Sequence, residues 1–218
     1  MAKNNARSDR YNGKTSVTRR TFSSKRSVKP MKLMKGYEVI EKLKDYIDEN
    51  DIIVGSTGNI SREVFHILDQ PQVYLRGSLG LQMSVGLGIA LEEKKRKIIV
   101  ILGDGSFLMG MSSIVTSSYY KPSNLKILIL DNAEYYTTGG QKTVSSAINF
   151  TKLLKSVEAS FKRSKNASEE SINQDLSDFF NLQGFSILHL NIESGKKPLA
   201  NIPWHPEEIT KRMQKKIS

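Results

Sequence analysis

Two short runs rich in Ile and Leu, Ile98 to Leu102 and Leu125 to Leu130, dominate the hydrophobic pattern of the chain. Apolar runs of this length suit strands covered on both faces. Pro122 and Asn124 break the helical stretch between them, so the pattern predicts strand–helix–strand with a parallel crossover. Upstream, Tyr37, Ile40, Leu43 and Ile47 recur at helical spacing, predicting an amphipathic helix from Gly36 to Asn50. Ile52 to Val54 reads as a first strand with a polar exit from Gly55 to Asn59. Ser61 is placed to cap a helix carrying Val64, Phe65, Ile67 and Leu68. Gln72 to Leu75 forms another short strand before a Gly77–Gly80 turn. The helix predicted over Leu79 to Leu91 contains Ser84, Gly86, Gly88 and Ala90. Glycine inside a helix costs about 1 kcal/mol relative to alanine, so these small residues point to close packing.

Downstream, Phe150 to Phe161 and Ser168 to Leu182 read as helices separated by a basic turn, Lys162–Asn166. Gly184 stops the second helix, and Phe185 to Leu190 is a last strand containing His189. Pro206 suits the first turn of a helix from Glu207, and Trp204 before it is an anchor for the body or a partner. This alternation predicts an α/β fold, three-layer, with a mainly parallel sheet flanked by helices. There is no internal repeat and no second domain.

The polar residues at the strand ends carry the candidate chemistry. Asp104 follows the first long strand within Gly103-Asp104-Gly105-Ser106, and Asp131 and Asn132 follow the second. In an open parallel sheet, ligands bind beyond the carboxyl ends of the strands. A carboxylate, a carboxamide and a loop carbonyl near Glu134 form a hard-oxygen set that suits magnesium holding a phosphate. Gly105 and Ser106 open the next helix, where free amides favour an anion. Tyr135, Tyr136, Thr137 and Thr138 lie in the following loop and offer hydroxyls or ordinary packing. His66 has no second His or Cys nearby and reads as structural. Met109 and Met111, flanking Gly110, read as core or interface residues.

Composition changes this picture in two places. With no cysteine, a disulfide framework and a cysteine-held metal or cluster are excluded. That is compatible with a cytoplasmic protein, and no apolar run approaches the roughly 20 residues that span a bilayer. The formal charge is +11, but Met1 to Pro30 carries nine Lys or Arg against Asp9 alone, leaving 24 basic and 21 acidic residues elsewhere. The body is therefore nearly neutral. Residues 1–34 read as a disordered basic tail too polar to fold alone, ahead of one domain over residues 35–218. Competing readings of the tail are a nucleic-acid arm, a targeting peptide, a twin-arginine signal at Arg19-Arg20, and translation starting at Met31 or Met34. Tyr11 and Phe22 are its only aromatics, a poor stacking platform for nucleic acid. Removing Met1 to Pro30 is expected to leave solubility and activity nearly unchanged, checked by assaying the truncated chain; a large loss would overturn this.

The Gly103–Ser106 and Asp131–Asn132 pair resembles the thiamine-diphosphate motif, GDG followed after a strand-length gap by an Asn-containing pair. Further stretches narrow the resemblance: Gly77-Ser78-Leu79-Gly80, Ser56-Thr57-Gly58, Ser61-Arg62-Glu63 and Gly139-Gly140-Gln141-Lys142-Thr143. Together they are similar to the cofactor-binding half of sulfopyruvate and phosphonopyruvate decarboxylases, from about Lys35 to the C-terminus. The resemblance implies that Asp104 and Asn132 bind magnesium through side chains, with the Glu134 carbonyl assisting. It implies that Gly103, Gly105 and Ser106 meet the diphosphate, with Tyr135 and Tyr136 nearby. Ser56, Thr57 and Gly58 would contact the pyrimidine ring, while Leu79, between Gly77-Ser78 and Gly80, would bend the cofactor into a V. Arg62, Gly140, Gln141 and Lys142 are implied at the substrate mouth. Two positions depart from the family pattern: Asp131 stands first in the usual Asn pair, and Lys142 stands where proline is typical.

The implied activity is non-oxidative decarboxylation of a small anionic 2-oxo acid with thiamine diphosphate and Mg2+. The glutamate that activates the pyrimidine is missing from this half, so a pyrimidine-domain partner subunit is implied, with no membrane or nucleic-acid partner. Alternatives are the cofactor-binding subunit of a 2-oxo acid oxidoreductase, and a non-catalytic thiamine-diphosphate-binding subunit.

Overall fold

A computed structural model describes residues 31–68 and 72–217. The tail reading falls almost entirely on residues outside these, although Met34 is buried, accepting the Glu193 amide and donating to the Ala167 carbonyl. In chain order the elements are α1 (Gly36–Lys42), β1 (Ile52–Gly55), α2 (Gly58–Leu68), β2 (Val73–Tyr74), α3 (Gln82–Glu92) and β3 (Ile98–Gly103). There follow α4 (Asp104–Met109), α5 (Ser112–Tyr120), β4 (Leu125–Asp131) and a small hairpin, β5 (Glu134–Tyr135) with β6 (Gln141–Lys142). The chain continues as α6 (Phe150–Lys155), β7 (Phe161–Asn166), α7 (Ile172–Asn181), β8 (Ser186–Asn191) and α8 (Pro206–Ile217).

Six strands form one sheet in the order β2-β1-β3-β4-β8-β7, and every neighbouring pair is parallel. The central strands are buried on both faces, which is why Ile98–Leu102 and Leu125–Leu130 do not alternate with exposed positions. One face packs Val39, Ile40, Val64, Leu176 and Phe179 from α1, α2 and α7. The other packs Met83, Leu87, Phe107, Ile114 and Leu154 from α3 to α6. The order reverses between β1 and β3, so the carboxyl ends of these two strands and of β4 diverge around an open crevice.

Four local expectations change. The first helix stops at Lys42, with one 3₁₀ turn to Asp45. Beyond it the Asp51 and Asp48 carboxylates accept the amides of Asp48 and Asn50 at 3.1 and 2.8 Å and divert the backbone into a turn. Ser61 does not cap α2, which starts at Gly58. Its hydroxyl donates instead to the Ser56 carbonyl. The helix from Phe150 ends at Lys155, and the basic stretch Phe161–Asn166 is the edge strand β7 rather than a turn. Lysines and an arginine on that strand protect an open sheet edge from pairing with another chain. The segment after Asp104 is two helices, broken at Gly110, where an added methyl carbon would lie 2.0 Å from the Gly80 carbonyl oxygen.

Trp204 anchors α8 to the body: its ring meets Phe65 edge-on at 4.9 Å and lies under the Arg212 guanidinium at 3.4 Å. His66 reaches the Ala200 carbonyl at 3.2 Å and serves structure, as its isolation implied.

Lys126 is the apolar pattern's exception, a buried lysine in β4. Its ammonium donates to the Leu182 carbonyl and, at 2.9 Å, to the Ser186 hydroxyl. Burial, with a smaller contribution from Lys97, pushes its pKa down from 10.5 to about 8. Between those values the unfolded chain holds the extra proton, so stability should rise with pH across that window. Lys126→Met should therefore raise the unfolding free energy at pH 7 by roughly 1 kcal/mol once two unpaired acceptors are discounted. Denaturant melts at pH 7 and 10 check this, and the advantage should shrink at the higher pH.

Candidate active site

The crevice at the carboxyl ends of β1, β3 and β4 contains a cavity of about 460 Å3. Strand β1 delivers Ser56, Thr57 and Gly58, and the first turns of α2 add Arg62 and Glu63. Strand β3 ends in Gly103 and runs straight into α4, so Asp104, Gly105 and Ser106 line the floor. Beyond β4, Asn132, Glu134, Tyr135 and Tyr136 form the facing wall. Leu79 closes the side next to β2. It is 39% exposed, unusual for a leucine in a tight turn. The turn holds it outward because Ser78 has φ +60° and Gly80 has φ +99°, and Gly80 is backed by Met109 and Gly110.

Asp104 is buried, and its carboxylate accepts the Thr143 hydroxyl and the amides of Asp104 and Gly105. Burial, with help from the nearby Asp131 charge, pushes its pKa up from 3.8 to about 6, against these donors. Among the described ion pairs none involves Asp104, so this anion faces the cavity without a protein cation. A bound divalent cation would supply the missing charge. Asn132 accepts the Glu134 amide at 3.1 Å, which fixes its side chain at the strand end. Among the described residues no three His, Cys, Asp or Glu side chains gather as a metal cluster. A magnesium ion here would take Asp104, Asn132 and a carbonyl, and complete its octahedron with water and phosphate oxygens. The residues present fit that ion.

Several predicted positions stand elsewhere. Gly77, Ser78 and Gly80 shape the Leu79 turn without lining the cavity, and Gly140, Gln141 and Lys142 lie at the exposed end of the β5–β6 hairpin. The Ser106 hydroxyl is turned inward to Gln82, leaving its backbone toward the cavity.

The sequence does not single out Arg76, nor does it give the surroundings of Glu63 and Asp131. Arg76 lines the mouth and is held by the Trp204 carbonyl at 2.7 Å. Glu63 is buried in the wall, its pKa pushed up to about 7 by burial, with the Lys197 amide opposing. Asp131 points away from the cavity floor and pairs with His189 at 3.0 Å. Burial alone would raise its pKa, but the hydrogen bonds from His189, the Ala133 amide and Ser145 win and hold it below 3.8. Each of these settings depends on a contact remote in sequence; Glu63, in the Ser61–Glu63 stretch, and Asp131, at the end of its strand, are visible locally, and Arg76 is not.

Residues 54–190 match the family model of the C-terminal TPP binding domain of thiamine pyrophosphate enzymes. The chain belongs to the thiamine pyrophosphate enzymes. The matched span runs from β1 to β8 and so includes every strand end that builds the cavity. Within this family the chain is 32% identical to the sulfopyruvate decarboxylase subunit beta of Methanothermobacter thermautotrophicus, over 85% of this chain and 96% of that one. It is 33% identical to the phosphonopyruvate decarboxylase of Streptomyces hygroscopicus, over 80% of this chain but only 44% of the relative. The chain thus spans nearly all of the beta subunit and less than half of the longer enzyme. Among solved structures, benzoylformate decarboxylase from Polynucleobacter necessarius superposes with TM-score 0.63 at 19% identity, over 76% of this chain and 34% of that one. That likeness shows a shared fold. Among the described residues no helix is long and apolar enough to cross a membrane.

Proposed function

We propose that the chain is the diphosphate-binding subunit of a thiamine-diphosphate- and magnesium-dependent 2-oxo acid decarboxylase acting on sulfopyruvate or phosphonopyruvate. The observation that carries this reading is the buried, cation-free Asp104 carboxylate opposite Asn132, in a cavity that also takes in Leu79 and Ser56–Gly58. Asp104, Asn132 and the Glu134 carbonyl would hold magnesium. Gly103, Gly105 and Ser106 would meet the diphosphate through backbone, with Tyr135 and Tyr136 flanking it. Ser56, Thr57 and Gly58 would orient the pyrimidine, and Leu79 would support the bend between the rings. When bound, the cofactor supplies an electron sink for the pair left by departing carbon dioxide.

The protein's share is orientation and electrostatics. Arg62 and Arg76 line the mouth and suit the second anionic group of the substrate. That role fits them better than Lys142, which stands outside the wall. Leu79 lines the cavity, and Leu81, Met109 and Met111, on its own turn and the turn packed against it, are exposed apolar residues, the surface expected to receive the pyrimidine-domain subunit. The reading is tested by product analysis: the chain and its partner, with Mg2+ and thiamine diphosphate, are given each acid in turn. Aldehyde and carbon dioxide in equal amounts are expected from one or both. Absence of both products with either acid would overturn the reading.

A further inference from the structure

Behind the floor of the cavity, a chain of hydrogen bonds runs from Asp104 to side chains of β4, β8 and β7. The Thr143 hydroxyl donates to Asp104 Oδ2, and its oxygen accepts the Ser145 amide at 3.4 Å. Ser145 donates to Asp131 Oδ1 at 3.1 Å, the same oxygen that accepts the Ala133 amide at 2.9 Å. Asp131 Oδ2 lies 3.0 Å from His189 Nε2, and His189 Nδ1 lies 2.9 Å from the Ser164 hydroxyl. The register makes this possible: His189 of β8 is level with Ile129 of β4 and Ser164 of β7, and Asp131 is two residues beyond Ile129 on the same face. The Phe150 ring stacks on the imidazole at 3.7 Å and 9°, so the histidine has one orientation.

Each link has a geometric consequence at the site. Asp131 is fully occupied by three donors and cannot turn toward a metal beside Asn132. Its grip on the Ala133 amide accompanies a left-handed Ala133, φ +58°, a conformation that costs an alanine energy and needs outside support. That turn sets the direction of Asn132. The Thr143 amide donates to the Ala133 carbonyl at 2.9 Å, bringing the Thr143 hydroxyl back onto Asp104. Both side chains proposed to ligate magnesium are thus held by one network whose far end is an imidazole.

We propose that His189 is a positioning residue of the magnesium site, holding Asp104 and Asn132 in place through Asp131, Ser145 and Thr143. This rests on the reading that Asp104 and Asn132 ligate magnesium. His189 contacts neither. Partners at this remove commonly change metal affinity by roughly 10- to 100-fold. The neighbouring cavity of about 340 Å3, lined by Asp131, Phe150, Ser164 and His189, gives a small molecule access to the imidazole position.

The test is the Mg2+ concentration that half-saturates thiamine diphosphate binding to the full chain assembled with its pyrimidine-domain partner, read by calorimetry. His189→Ala should raise it at least tenfold, and imidazole added to that variant should restore most of the loss. Ser145→Ala breaks the same chain while leaving the Phe150 stack in place, and should raise it several-fold with little change in the melting temperature without metal. It decides the matter alone if His189→Ala does not fold. Parent-like magnesium dependence in every folded variant would overturn the positioning role and leave the site assignment standing. Failure of the parent itself to bind cofactor with magnesium would overturn both.

Discussion

Asp104→Asn should weaken magnesium-dependent thiamine diphosphate binding by at least 100-fold while leaving the fold intact or more stable. Asn132→Ala should weaken binding by a similar order. The two replacements act differently. Asn132→Ala removes a neutral oxygen and also the acceptor of the Glu134 amide, so the loop after β4 should loosen. Asp104→Asn removes the only charged protein oxygen proposed to touch the metal. It also relieves a cost, because the carboxylate is buried without a protein cation and its pKa is raised to about 6. Between pH 3.8 and about 6 the folded chain holds more protons than the unfolded one, so metal-free stability should fall as pH rises through that window. Above it the penalty is complete, on the order of 2–3 kcal/mol. The neutral variant escapes it and should melt higher than the parent at pH 7. Magnesium must also compete with the proton, so cofactor affinity of the parent should drop below about pH 6. Calorimetric titrations at pH 5.5 and 7.5, with melts alongside, check each part. Equal cofactor affinity in parent and both variants would remove the site assignment.

The isolated chain should show no decarboxylation above background, with activity appearing only when a pyrimidine-domain subunit is added. Leu79 lines the cavity, and with Leu81, Met109 and Met111 it makes four apolar residues at least 38% exposed. The two turns that carry them are locked back to back, since Gly110 leaves no room for a side chain against the Gly80 carbonyl. An exposed apolar surface continuous with the Leu79 turn suits a docking partner that completes and dries the site. The resemblance assigns that partner the glutamate acting on the pyrimidine. Glu63 is an unsuitable stand-in, being committed to the Lys197 amide within the wall. Glu134 is equally unsuitable, because it accepts the Ser194 hydroxyl at 2.8 Å. Mixing the purified chain with its partner at increasing ratios and following carbon dioxide release should give activity that saturates at a fixed stoichiometry. Full turnover by the chain alone would sink the hypothesis.

The contrast between Asp104 and Asp131 shows how much of the site could be read in advance. Both are acidic residues at the ends of buried strands, and residue type alone does not separate them. Asp104 sits between glycines at a strand–helix junction, so its neighbours in sequence already place it at the crevice. The direction of Asp131 is decided by His189, 58 residues away, and by Ser145 across the loop. The basic stretch Lys162–Asn166 reads as a turn in the sequence for a similar reason. Its charges argue for solvent, and only pairing with β8 makes it a strand.

What the sequence by itself determined is everything carried by short-range pattern. Unbroken Ile and Leu runs require strands covered twice, their spacing requires crossover helices, and polar residues at strand ends require a site at one edge of the sheet. The family follows from motifs of that same local kind. The tertiary structure decided the register across strands, and with it which carboxylate faces the cavity and which is tied to an imidazole. It also decided that Lys126 is buried, that Lys142 stands outside the wall, and that Arg76 and Glu63 stand within it. The physical reason is range. Backbone preference and hydrophobic periodicity act over a few residues, whereas burial and hydrogen-bond partnership are set by whichever distant segments the sheet brings together.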